Sequence, residues 1–64
     1  MVLYNLYLVL INETIRVYDN ATKSIVYEGL SENIPSALMN KLVHDVTIAR
    51  EKNTNRTYLL ININ

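Results

Sequence analysis

His44 and Asp45 stand side by side, as a general base and its orienting carboxylate would. Both fall in a stretch of period-two hydrophobicity, and neighbours on a strand point to opposite faces, so the pair would not meet. A single histidine also removes the His-pair metal boxes and every scheme that needs two imidazoles. The absence of cysteine removes thiolate metal sites, a cysteine nucleophile and any disulfide framework. Ser24, Ser31 and Ser36 sit at turns or at a helix start, where serine is common for conformational reasons. Gly29 is the only glycine, so no glycine-rich loop can cradle a phosphate. Glu13, Asp19, Glu28, Glu32, Asp45 and Glu51 are scattered, without the spacing of a calcium loop. No catalytic residue, metal site or cofactor is expected, and the chain does not read as an enzyme.

Binding chemistry has better candidates. Arg50, Lys52 and Arg56 gather around a polar stretch that also holds Asn53 and Asn55. Such a cluster would suit phosphate or an acidic protein surface, giving a weak nucleic-acid-binding module as the alternative reading. It lacks the interleaved aromatics of a single-strand binder, with only Tyr58 nearby. Charge is divided along the chain: residues 1–36 carry two basic and four acidic groups, residues 37–64 four basic and two acidic. The total is zero, so no global field steers the protein to nucleic acid or membrane. The five tyrosines offer rigid contact area with a polar tip, as interface anchors do. In Thr57–Ile63, Leu59, Ile61 and Ile63 share one face while Tyr58 and Leu60 take the other, so both faces are apolar.

The elements that must position these residues follow from patterning. With 64 residues, half of them hydrophobic and only 19% charged, the chain is one folded domain rather than a disordered one. A chain of this size buries only about 60% of its unfolded surface, so self-association is a common route to more buried area. Residues 3–11 read as a helix with Leu3, Leu6, Tyr7 and Leu10 on one face, or as a strand. Thr14–Asp19 alternates with Ile15 and Val17 inward, Asp19–Lys23 is turn chemistry, and Ser24–Glu28 is a second strand that Gly29 stops. Pro35 opens a short helix to Lys41 that presents Leu38 and Leu42. Val43 onward returns to period two, Glu51–Arg56 is a polar loop, and Thr57–Ile63 is the most β-prone stretch. The expected fold is α+β: a small antiparallel sheet of two hairpins, a short helix between them, and a short N-terminal helix or strand. Ile15, Val17, Leu38, Leu42, Val46, Ile48, Leu59 and Ile61 are the expected core.

Met1–Ile11 has no basic flank or small-residue cleavage site of an export signal. It is also well short of the ~18 to 20 apolar residues of a spanning helix. A cytoplasmic address without membrane contact is expected, with the Asn12, Asn20 and Asn55 sequons unmodified.

With the elements placed, the chain resembles a family of small uncharacterised proteins encoded by prophages and mobile elements of Gram-positive bacteria. The resemblance is carried by Thr14, Val17, Tyr18 and Asp19, then Val26-Tyr27-Glu28-Gly29, then Ile34-Pro35 and Leu38, then Val46 and Ile48, and the final alternating strand. It covers nearly the whole chain, but the shared features are a turn, a glycine stop and a proline helix start. The N-terminal segment carries less charge than the family pattern. The resemblance implies a genomic setting and a fold, and no activity. The expectation for function is a non-enzymatic accessory protein that acts by protein–protein interaction, as a homodimer and with an unidentified protein partner, using Tyr58, Leu60, Arg50, Lys52 and Arg56.

Overall fold

The computed structural model describes every residue from Met1 to Asn64. A short helix, α1 (Leu3–Val9), precedes strands β1 (Thr14–Asp19), β2 (Ser24–Leu30), β3 (Val43–Arg50) and β4 (Thr57–Ile63). The strands form one sheet in the order β2-β1-β4-β3. The protein is therefore α+β. No helix is long and apolar enough to cross a membrane.

The sheet is mixed rather than antiparallel. β1 pairs with β2, and β3 with β4, in antiparallel ladders, but β1 and β4 lie parallel at the centre. The direction follows from the crossover. Residues 31–42 carry the chain from the foot of β2 back to the head of the sheet, so β3 runs with β2 and β4 runs with β1. In this register Ile15 faces Leu59, Val17 faces Ile61 and Asp19 faces Ile63. These side chains line the face that α1 covers.

The expected helix over Pro35–Lys41 is absent. Two single turns of 3-10 helix, Ser31–Asn33 and Ser36–Leu38, stand in its place. Pro35 is extended, with ψ at 137°. The carbonyls of Met39 and Lys41 are committed elsewhere: they accept the N–H groups of Tyr4 and Leu3 at 3.0 and 2.9 Å. Those are orphan donors of the first turn of α1, so the crossover backbone caps the N-terminal helix instead of building its own. Asn5 adds to the cap by accepting the Val2 N–H on Oδ1 at 3.0 Å. A helix of seven residues would not hold in water by itself. It holds here because Leu3 is fully buried and Leu6, Tyr7 and Leu10 pack against the core.

The core is smaller than expected and sits nearer the centre of the sheet. Leu3, Ile15, Val17, Ile34, Ile61 and Ile63 are buried, with Leu38 and Leu59 half-buried at its rim. Leu42, Val46 and Ile48 were expected inside and are 57, 40 and 77% exposed. Val46 and Ile48 do share the inner face, opposite Ile61 and Leu59. They lie on the edge strand, however, where nothing covers them. Two polar residues are buried and satisfied. Asp19 accepts the Ala21 N–H at 2.9 Å in the first hairpin turn. Ser31 joins the end of β2 to Glu13, donating its N–H to the Glu13 carbonyl at 2.8 Å and accepting the Glu13 N–H on Oγ at 3.3 Å. β2 also runs through Gly29 to Leu30 rather than stopping at the glycine.

Candidate functional site

Two regions gather the residues that could recognise something: the sheet face away from α1, and the free edge of β3. On the open face the organising residue is Arg16, which alternation places opposite in sense to Ile15 and Val17. The ladders set it across from Glu28 on one side and Leu60 on the other. Its Nε lies 2.9 Å from Glu28 Oε2, and its Nη2 donates to Glu51 Oε2 at 3.0 Å. Nη1 donates to the Tyr58 hydroxyl at 3.1 Å, and the guanidinium carbon stands 4.4 Å from the centroid of that ring. One side chain thus joins β1, β2, β4 and the β3–β4 loop. Partial burial works against its charge. The hydrogen bond to Glu51, then the charge of Glu28, the Tyr58 phenol and the charge of Glu51, outweigh that, and its pKa lies above an already high ordinary value.

Two shallow hollows flank this clasp. One, of about 150 Å³, lies among Thr14, Arg16, Glu28, Arg56, Thr57 and Tyr58. The other, of about 350 Å³, lies among Arg16, Arg50, Glu51, Lys52, Asn53 and Tyr58. The three basic loop residues are therefore divided: Arg50 and Lys52 border one hollow and Arg56 the other. Neither is a ready anion site. The donors of Arg16 are already taken by two carboxylates and a phenol, and an incoming anion would have to displace Glu28 or Glu51. Tyr58 is half-buried with the guanidinium over its ring, and Leu60 is half-buried in the middle of the open face. His44 is exposed, and Asp45 is bonded to the Asn62 side-chain amide rather than to a histidine. No three His, Asp or Glu side chains converge as metal ligands would.

Arg16 escaped the sequence reading because its partners lie 12, 35 and 42 positions away. Its only local signal is a cation between two inward β-branched residues. Replacing it tests the clasp. Exposed ion pairs contribute about 0.2 to 1 kcal/mol each and a partly exposed cation–π contact about 0.5 to 1. Arg16→Ala is therefore expected to cost roughly 1 to 2 kcal/mol in urea denaturation. The difference from wild type should shrink at 1 M salt, where the Debye length is about 3 Å. A difference unmoved by salt would mean that Arg16 acts through packing alone.

The second region is the β3 edge. Residues from His44 to Ile48 are all exposed, including two β-branched apolar side chains on the inner face of the sheet. The strand has no lysine and no proline, the residues that most often guard an edge. This strand, and not the Tyr58 and Leu60 face alone, is the outermost part of the C-terminal hairpin. No family model matches the chain, and no curated protein or solved structure is significantly similar to it.

Proposed function

We propose that the protein is a small non-enzymatic accessory protein, of phage or mobile-element origin, that works in the cytoplasm by protein–protein contact and is itself a homodimer. The observation that carries the contact reading is the disproportion between buried and exposed apolar groups. Six hydrophobic residues are buried, whereas eleven large ones are at least a third exposed. Among them Val46 and Ile48 stand next to each other on the uncovered inner face of β3, and a contiguous exposed apolar patch is what marks an interaction site. The mobile-element setting rests only on the resemblance of the turn and strand motifs.

Recognition of nucleic acid by Arg50, Lys52 and Arg56 is the weaker alternative. Glu51 lies among these residues, and the one neighbouring ring, Tyr58, has the Arg16 guanidinium over its face. Light scattering over a concentration series tests the self-association. The mass should rise to that of two chains as concentration increases. A mass of one chain throughout would remove the dimer. A salt-sensitive mobility shift with RNA or DNA would move the reading to the basic hairpin.

A further inference from the structure

We infer that the β3 edge pairs with the β3 edge of a second copy, antiparallel and two-fold, with Thr47 on the axis, so that two sheets join into one. This rests on the self-association proposed above and specifies its surface.

The sheet has two edges, and they differ. On β2 the register breaks opposite Val17 and Tyr18, leaving Val26 as a bulged residue in the middle of the strand. Bulges twist an edge away from a flat partner. On β3 the only irregularity is at Val43–Asp45, and the ladder is regular from Asp45 to Arg50. The head of this edge is already occupied. The Met1 carbonyl accepts the Val43 N–H at 2.8 Å, and Val2 bridges Leu42. What remains free runs from His44 to Arg50, and its midpoint is Thr47.

Backbone alternation fits the same axis. Glu51 donates its N–H inward, to the Arg56 carbonyl at 2.8 Å. Residues of an antiparallel ladder alternate in direction. Ala49 and Thr47 therefore turn to β4, while Arg50, Ile48 and Val46 turn their N–H and C=O groups out to solvent. With Thr47 on the axis, Val46 and the partner's Ile48 exchange both backbone bonds, and Ile48 does so with the partner's Val46. Their side chains lie on one face, so the two apolar groups that each monomer leaves in water, Val46 and Ile48, cover those of the partner. The same register sets Asp45 of each strand against Ala49 of its partner, with no two like charges directly opposed.

Neighbouring registers are worse. An axis on Ile48 sets Asp45 against the partner's Glu51. An axis on Val46 runs the partner's Ala49 onto Val43, where Met1 already sits. An axis between two residues would set inward-facing side chains against outward-facing ones.

A chain without cysteine makes the test direct, because Thr47→Cys introduces the only thiol. A non-hydrogen-bonded pair brings Cα atoms to about 4.5 Å, within the ~4.4 to 6.8 Å that a disulfide spans. Under a mild oxidant, Thr47→Cys should form covalent dimer far faster than Lys23→Cys in the first hairpin turn. Ile48→Lys changes a side chain that is mostly exposed in the monomer, so it should keep the far-ultraviolet circular dichroism while the mass falls to one chain. If wild type is dimeric but Thr47→Cys cross-links no faster than Lys23→Cys, the edge inference fails and the dimer stands. If Leu60→Lys, and not Ile48→Lys, abolishes that dimer, the contact is the open face and the edge inference again fails. A wild type that is monomeric at every concentration overturns both.

Discussion

Ile61→Ala is expected to remove about 2 to 5 kcal/mol of folding free energy, the range for deleting a buried aliphatic side chain and leaving a cavity. Ile61 is fully buried on the central strand β4, opposite Val17 on β1 and Val46 on β3. It therefore touches the middle of a core that contains only six buried hydrophobic residues. With so few, no second layer can relax into the space. A chain of this length is stable by roughly 3 to 10 kcal/mol, so the substitution takes a large share of the total. Urea denaturation should show the midpoint falling sharply, by about a third or more of its wild-type value. Leu38→Ala is the contrast. Leu38 is half-buried in a single 3-10 turn at the rim, and its loss should cost well under half as much. Equal costs at the two positions would mean that the crossover, and not the parallel β1–β4 pair, forms the centre of the core.

Gly29→Ala is expected to be the most damaging change outside the core, at about 1 to 3 kcal/mol. Gly29 has φ of +149°, a conformation that side chains with a Cβ rarely adopt. A Cβ there would also meet the Tyr27 hydroxyl at 2.8 Å. That hydroxyl donates to the Leu30 carbonyl at 2.6 Å, so the ring cannot swing away without losing the bond. Two costs are thus superimposed, and a double-mutant cycle separates them. In a Tyr27→Phe background the 2.8 Å contact is gone and the ring carbon at 3.3 Å is free of its tether to Leu30, so the steric part should shrink while the backbone part persists. If the penalty of alanine is unchanged in that background, the close approach to Tyr27 contributes nothing.

Strands with one buried face were readable residue by residue. Ile15 and Val17 alternate with Arg16 and Tyr18, and the Asp19–Lys23 turn is where Asp and Asn chemistry puts it; Lys23 has φ of 55° and its N–H bonds the Asp19 carbonyl at 2.7 Å. The final strand is equally plain. The N-terminal segment was readable only as one of two periodicities, since a short apolar run satisfies both. Its helical face, Leu3, Leu6, Tyr7 and Leu10, is the one that packs inward. The segment after Pro35 misled for a specific reason. Leucines four apart behind a proline have a helical pattern, but local spacing carries no sign that the Met39 and Lys41 carbonyls serve another element. The parallel β1–β4 pairing has the same character. Hairpins are local and legible, whereas the way two hairpins lie together depends on where the crossover lands. Val46 and Ile48 show the consequence: period two assigned their face correctly, and strand order decided that the face was uncovered. The Arg16 clasp, formed wholly by long-range partners, had no local signature.

Amide hydrogen exchange along β3 tests the central claim most directly, because the free edge and the paired edge alternate along one strand. In a monomer the Val46 and Ile48 N–H groups face solvent and exchange quickly, while those of Thr47 and Ala49 are held by β4. Measured from dilute to concentrated solution, Val46 and Ile48 should pass from fast exchange to protection like that of their neighbours, with β2 amides unchanged. If Val46 and Ile48 exchange fast at concentrations where the mass is that of two chains, the β3 edge is not the contact.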